Sequence, residues 1–359
     1  MSVGLIEVCH AFGITTSGVT FGNGHINSTF IAQKDGENYV LQLINTNVFK
    51  NPVDMISNIR KITKHIKNKI KENGGVPKRE VINLLKSNEG SYVFCASTGE
   101  AYRAYRFIDD SVTLEGNATP DEFYQAGYGF GKFQKYLADF PVAELVETIE
   151  NFHNTPLRVE KLKNTIKEDK FDRVKRCKDI IDYVLKYEKD ADIVTKGIES
   201  GEIPLRVTHN DTKLNNILFD DKTKKALCVI DLDTVMPGSM LYDFGDAIRY
   251  GASTAAEDEV DLDKISIDLK LFESFARGFV SQLKDSITQT EAKLMAFSAK
   301  LITYELVVRF LDDYLSGDCY FKTTYPGHNM IRARNQMKIC QDIDLKMDEM
   351  NKIIEDILK

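Results

Sequence analysis

Short apolar and alternating runs fill the first hundred residues, and long helical periods fill the remainder. Ser28-Thr29-Phe30-Ile31-Ala32 and Tyr39-Val40-Leu41-Gln42-Leu43-Ile44 flank the polar turn Lys34-Asp35-Gly36-Glu37, a pattern that predicts a β-hairpin just after the glycine-rich stretch Phe21 to Asn27. Val53, Ile56, Ile59, Ile62, Ile66 and Ile70 recur near the helical period with Lys and Arg between them, so an amphipathic helix is predicted over 52–70. Runs at 81–85, 92–96 and 101–108, separated by Asn-Glu-Gly and Thr-Gly-Glu, complete a small sheet that ends at Phe107-Ile108.

From Asp109 to Pro120 the chain is polar and turn-rich, after which helical periods cover 123–140 and 175–186. Glu291 to Leu315 carries Leu294, Phe297, Leu301, Tyr304, Val308, Leu311 and Leu315, the apolar stripe of a core helix. Glu305 and Arg309 stand four apart on it, where an ion pair can form. Gly127-Tyr128-Gly129-Phe130-Gly131 imitates a nucleotide loop but lies within the helical pattern of Phe123, Phe130, Phe133 and Leu137, so it reads as close helix packing. The expected organisation is an N-terminal lobe over 1–108, a linker over 109–118 and a mainly helical C-terminal lobe over 119–359.

Length and composition narrow the picture. At 359 residues, 43% hydrophobic and 28% charged, the chain is a folded protein of about two domains and not a disulfide-stapled or disordered one. Its net charge of −7 lacks the basic field that binds nucleic acid through phosphate neutralisation, so no nucleic-acid partner is expected. No apolar run approaches the roughly 20 residues that cross a bilayer, and the first ten residues show no basic segment followed by an apolar stretch. A cytoplasmic protein without a membrane partner is the expectation. Cys9, Cys95, Cys177, Cys228, Cys319 and Cys340 form no C-x-x-C pair and read as reduced thiols.

The chemistry is concentrated after Val207. Thr208-His209-Asn210-Asp211-Thr212-Lys213-Leu214-Asn215-Asn216 spells H-x-D-x-K-x-x-N, and the apolar strand 226–230 ends on Asp231, with Asp233 two residues on. Phosphoryl transfer needs a carboxylate to accept the attacking hydroxyl's proton, donors for phosphate oxygens and oxygen ligands for Mg²⁺. Asp211, Lys213, and Asn216 with Asp231 supply these in order, and Asn216 follows Asp211 at the offset found in protein kinases. Asp243-Phe244-Gly245 spells a kinase metal motif, yet Asp231 lies nearer the loop and directly ends a strand, so Asp231 is the expected ligand. Asp243 and Asp246 are expected to brace the catalytic loop or to cap the next helix.

The region from His209 to Asp246 resembles the aminoglycoside phosphotransferase and choline kinase superfamily, which implies an α+β, bilobal protein-kinase-like fold with an antiparallel sheet and a helix in its small N-terminal lobe. Within it, Phe21 to Thr29, Ile203 to Leu218, Met236 to Leu241, Phe152-His153-Asn154-Thr155-Pro156, Arg309-Phe310-Leu311, Gly317-Asp318 and Tyr325-Pro326-Gly327-His328-Asn329 resemble the bacterial N-acetylhexosamine 1-kinases. That resemblance implies transfer of the ATP γ-phosphate to the anomeric hydroxyl of N-acetylglucosamine or N-acetylgalactosamine. It makes Asp211 the base, puts Lys213 on the transferring phosphate and gives Mg²⁺ to Asn216 and Asp231. It also implies that Gly22, Gly24 and His25 lie along the phosphates, that Phe107, Ile108 and Asp109 meet adenine, and that Arg309 and Tyr320, with Asp211, hold the sugar.

One departure from protein kinases stands out: Gln42 occupies the third-strand position where they carry a phosphate-binding lysine. A carboxamide donates hydrogen bonds but supplies no charge. Two other readings therefore stay open. One is a related kinase for another sugar, choline, an aminoglycoside or methylthioribose, although the chain's 0 Trp weakens a quaternary-ammonium cage. The other is a non-catalytic nucleotide-binding module.

Overall fold

A computed structural model describes residues 2–21, 27–114, 116 and 118–359. The first elements are α1 (Val3–Phe12), β1 (Thr15–Thr20), β2 (Ser28–Lys34), β3 (Glu37–Ile44), α2 (Pro52–Glu72), α3 (Pro77–Glu80), β4 (Phe94–Cys95), β5 (Ala101–Arg106) and β6 (Ser111–Val112). They are followed by α4 (Pro120–Tyr136), α5 (Thr155–Glu168), α6 (Lys178–Tyr187), α7 (Ile193–Ser200), β7 (Arg206–Thr208), β8 (Ile217–Asp220), β9 (Ala226–Val229) and β10 (Met236–Gly238). Four helices close the chain: α8 (Met240–Gly251), α9 (Leu269–Leu283), α10 (Gln289–Leu315) and α11 (His328–Leu358).

Two compact units result, and neither is continuous in sequence. The first gathers Met1–Thr113, Tyr136–Glu150 and Asn216–Pro237. Its main sheet is antiparallel, in the order β1-β2-β3-β5-β4. The expected hairpin joins β2 to β3, and Asp35 and Gly36 both adopt positive φ, 51° and 77°, as a two-residue turn between right-twisted strands requires. Helix α1 and strand β1 were not expected. Leu5, Val8 and Phe12 of α1 lie on one face and pack with Phe30, Leu41 and Tyr102 of the sheet, while Ser2 Oγ accepts the Leu5 N–H at 3.2 Å and Gly13, at φ 64°, ends the helix.

The run 81–85 pairs with β5 without becoming a strand: Leu84 bridges Tyr105, and the Leu85 N–H donates to the Ala104 carbonyl at 2.8 Å. The Asn83 amide instead donates to the Pro77 and Val81 carbonyls, a local bonding pattern that competes with a ladder. A second sheet, β6-β8-β9, belongs to the same unit.

The second unit gathers Leu114–Lys135, Asn151–Asn215 and Gly238–Lys359. Helix α10 runs through its middle against α11, α8 and α5. Its start is fixed by a capping box between Thr288 and Glu291. The apolar stripe understated its burial, because Lys300, Glu305, Asp312 and Asp313 are buried on it as well. The glycines of α4 pack as expected: a Cβ at Gly127 would stand 2.2 Å from the Phe275 carbonyl oxygen, and one at Gly278 of α9 would stand 2.1 Å from that of Tyr124. Each residue is glycine because the facing helix backbone occupies the space.

Candidate active site

In the second unit β7 ends at Thr208, and the chain turns through Asn210, whose φ of 65° is tolerated by asparagine. Asp243, buried on α8, holds this turn. Its Oδ1 accepts the N–H groups of His209 and Asn210 at 3.0 and 2.8 Å, and Oδ2 accepts from Gln134 Nε2 at 2.6 Å. Asp246, one helical turn on, accepts the Thr212 N–H at 3.0 Å and pairs with Arg249 at 3.1 Å. Both aspartates therefore brace the loop, and Ser239 caps the helix instead. His209 is also a brace: its ring lies edge-on to Phe130 and Phe133, at 5.5 and 5.8 Å, and Nδ1 accepts the Asp211 N–H at 3.3 Å.

On this rigid loop Lys213 Nζ lies 2.8 Å from Asp211 Oδ1, with both side chains partly open to solvent. Burial disfavours the ammonium charge, but the carboxylates of Asp211 and Asp246 outweigh it and hold the Lys213 pKa above the ordinary lysine value. The pair thus presents a carboxylate beside a permanent cation.

Asn216 and Asp231 lie in the first unit. The β8–β9 pairing sets Ile217 against Val229, and the Ile230 N–H donates to the Asn216 carbonyl at 2.9 Å, so Asp231 follows the residue bonded to Asn216. Asp231 sits in the left-handed region at φ 57°, which aspartate, like asparagine, tolerates. The turn beyond it is held by Asn58 of α2, whose Nδ2 donates to the Val235 carbonyl at 3.1 Å and to that of Val146 at 2.8 Å. One carboxylate and one carboxamide oxygen are hard donors that suit Mg²⁺, which is bound by one or two protein oxygens together with substrate phosphates and water. Among the described residues no three His, Cys, Asp or Glu side chains cluster as a metal cage, and a shared site of this kind needs none. Asp233 is engaged elsewhere, in an ion pair with buried Arg103 and as acceptor from Asn27 Nδ2 at 2.7 Å.

Of the expected nucleotide contacts, Gly22, Gly24 and His25 lie outside the described residues. Gln42 lies on β3, where Nε2 donates to Thr29 Oγ1 at 3.1 Å. Phe107, Ile108 and Asp109 follow β5. The Phe107 N–H donates to the Asn38 carbonyl at 3.0 Å, the Ile108 carbonyl accepts from Ser111 Oγ at 2.6 Å, and the Asp109 carbonyl accepts from Arg79 Nη2 at 3.3 Å. The Phe107 ring meets Phe21 edge-on at 6.4 Å.

In the second unit Arg309 of α10 stands near three rings, 5.7 Å from Phe152, 6.0 Å from Tyr320 and 5.4 Å from Phe321. The Tyr320 side chain is largely exposed. The Glu305–Arg309 approach is loose at 3.9 Å, because fully buried Glu305 is bound more closely by His153 Nδ1 at 3.2 Å and Thr155 Oγ1 at 2.8 Å. Structure therefore joins Arg309 to Tyr320 and assigns Glu305 mainly to other partners. The residues that motif reading missed are Asn27, Asn58, Arg103 and Gln134. Arg103 carried a readable signal, a charge inside the otherwise apolar strand Ala101 to Tyr105.

A sheet with a hairpin and a helix in one unit, and in the other a helical core carrying an aspartate-lysine loop, is the architecture of the protein-kinase-like phosphotransferases. Similar solved structures are a microcompartment-associated aminopropanol kinase (13% identity, 98% of this chain and 99% of that one, TM-score 0.59) and an aminoglycoside phosphotransferase from Alicyclobacillus acidocaldarius (11%, 94% and 92%, 0.62). A third is a spectinomycin phosphotransferase in complex with ADP and spectinomycin (13%, 96% and 98%, 0.55). The model of the phosphotransferase enzyme family matches residues 17–276, and the chain belongs to that family. No helix among the described residues is long and apolar enough to cross a membrane.

Proposed function

We propose that the chain is an ATP-dependent kinase that phosphorylates the anomeric 1-hydroxyl of N-acetylglucosamine or N-acetylgalactosamine, yielding the sugar 1-phosphate and ADP. The observation that carries the chemistry is the Asp211–Lys213 pair at 2.8 Å on a loop braced by Asp243 and Asp246. Asp211 orients the acceptor hydroxyl and takes its proton as the sugar oxygen bonds to the γ-phosphorus and the bond to the β-phosphate oxygen breaks. An anomeric hydroxyl is more acidic than an ordinary alcohol, so a well-placed carboxylate suffices. Lys213, kept charged by two carboxylates, donates to the transferring phosphate. Asn216 and Asp231 would hold Mg²⁺, which when bound screens the charge of the ATP phosphates. The Phe107 to Asp109 backbone would meet adenine.

The acceptor assignment rests on the sequence resemblance and is supported by the Arg309 group. A fixed cation bordered by Phe152, Phe321 and the exposed Tyr320 suits a neutral, hydroxyl-bearing ring, with guanidinium and phenol as donors and an aromatic face for the sugar. The same cation opposes a quaternary ammonium or polyamine acceptor. The test is a coupled assay with Mg-ATP and N-acetylglucosamine, N-acetylgalactosamine, glucose, galactose and choline, with product position read by phosphorus NMR. Sugar 1-phosphates from the acetamido sugars are expected, and Asp211→Asn should lose nearly all turnover while still binding ATP. Preferential turnover of choline, or wild-type-like turnover by Asp211→Asn, would overturn the reading.

A further inference from the structure

Gln42 lacks the charge of the lysine it replaces, and the sheet register shows what stands beside it. Thr29 on β2, Gln42 on β3 and Arg103 on β5 are direct cross-strand partners and so form one row on one face of the sheet. Arg103 is only 3% exposed. Its Nε and Nη2 both donate to Gln42 Oε1, at 2.8 and 2.6 Å, and Nη1 is ion-paired with Asp233 Oδ1. The other Asp233 oxygen accepts from Asn27, whose own Oδ1 accepts the Asn45 N–H at 2.9 Å.

Two consequences follow from this chain of bonds. A guanidinium has donors only, so it forces the Gln42 carbonyl toward itself and turns the amide nitrogen the other way. Of the two Nε2 hydrogens one serves Thr29, and among the described residues the second is left for a ligand. Arg103 also grips Asp233, two residues past Asp231, so the same side chain fixes the left-handed turn carrying the proposed metal ligand. A lysine at position 42 would instead face the guanidinium across the strand pair, a like-charge contact in a buried setting. Gln42 and Arg103 are therefore understandable only as a pair.

We propose that Arg103 is a positioning residue of the nucleotide site, orienting the Gln42 amide so that its N–H meets a phosphate oxygen of the bound nucleoside triphosphate and holding the Asp231 turn through Asp233. This rests on the phosphotransferase reading above. Arg103 acts through Gln42 and Asp233 and does not itself touch the nucleotide. Its effect should fall on nucleotide affinity more than on acceptor affinity.

The experiment is a double-mutant cycle of Arg103→Lys and Gln42→Met, with calorimetric binding of Mg-ADP, KM for ATP, KM for the acceptor and the melting temperature read for each protein. Arg103→Lys keeps the charge available to Asp233 but loses the two-donor grip on the amide; Gln42→Met keeps the volume and loses the amide. Each should weaken Mg-ADP binding and raise the ATP KM at least fivefold, with acceptor KM within twofold. In the double variant Arg103→Lys should add less than twofold to Gln42→Met. Losses that multiply, or a folded single variant with less than a fivefold effect, would overturn the proposal. If Arg103→Lys does not fold, Gln42→Met alone decides by the same fivefold criterion. A wild-type protein that fails to bind Mg-ADP would instead remove the phosphotransferase reading itself.

Discussion

Glu305 offers a quantitative test of how the second unit is held together. It is wholly buried on α10, and its Oε1 lies 3.2 Å from His153 Nδ1, 3.6 Å from Arg158 Nε and 3.9 Å from Arg309 Nη1. Burial alone would push the carboxyl up, but the interactions with His153, Arg158 and Arg309 outweigh it and lower the pKa from 4.5 to about 2. A carboxyl with a depressed folded-state pKa contributes stability that is fully present above its unfolded value and is lost as pH falls through the folded value. The window is therefore pH 4.5 to about 2. A shift of that size, at about 1.4 kcal/mol per unit, corresponds to about 3 kcal/mol. Removing one partner of a buried pair costs a similar amount, about 3–5 kcal/mol. Glu305→Gln keeps volume and removes charge, so urea denaturation at pH 7 should show about 3 kcal/mol lost. The gap between variant and wild type should shrink as pH falls below 4.5 and close near 2. A gap that is constant from neutral to acid pH would refute the electrostatic reasoning and leave packing as the cause.

Other expectations are briefer. Gly278→Ala should destabilise by roughly 2 kcal/mol or more, because its Cβ would meet the Tyr124 carbonyl at 2.1 Å and that is helix backbone which cannot swing aside; an unchanged melting temperature would contradict the close crossing of α4 and α9. Asp243→Asn replaces a carboxylate that accepts two loop N–H groups, so stability should fall by about 3 kcal/mol and kcat should fall with it while KM for ATP changes little; a normal kcat would remove Asp243 as the brace of the loop. If Asp231 holds Mg²⁺ as proposed, Asp231→Ala should raise the Mg²⁺ concentration for half-maximal rate more than tenfold, and an unaltered Mg²⁺ titration would remove Asp231 from the proposed metal site.

Much of the candidate site could be read from the sequence because its residues lie close together along it. The spacing of His209, Asp211, Lys213 and Asn216 needs only one loop, and the apolar strand leading to Asp231 marks where that aspartate must emerge. Asp243 and Asp246 were narrowed to two roles, and backbone hydrogen bonds from His209, Asn210 and Thr212 select the bracing one. Helix α1 escaped notice because Leu5, Val8 and Phe12 make a short pattern amid strand signals, although the spacing was present. Arg309 illustrates the opposite limit: the four-residue offset from Glu305 was correct as geometry, yet the carboxylate is taken by closer groups from elsewhere in the chain.

By itself the sequence determined the β2–β3 hairpin, the helix after Pro52 and the core helix that ends at Leu315, where glycine permits a tight turn or a close helix crossing, and which short loop bears an aspartate, a lysine and an asparagine. Those properties depend on neighbours within a few residues, through steric limits, periodicity and local hydrogen bonds. Tertiary structure alone decided that Arg103 pairs with Asp233, 130 residues away, and that His153 reaches Glu305 across 152. It also decided that residues 136–150 and 216–237 belong with the N-terminal sheet. Buried charges must find partners wherever the fold provides them, and many side chains of suitable type exist at every distance along the chain, so only the packed structure selects the pair that satisfies both.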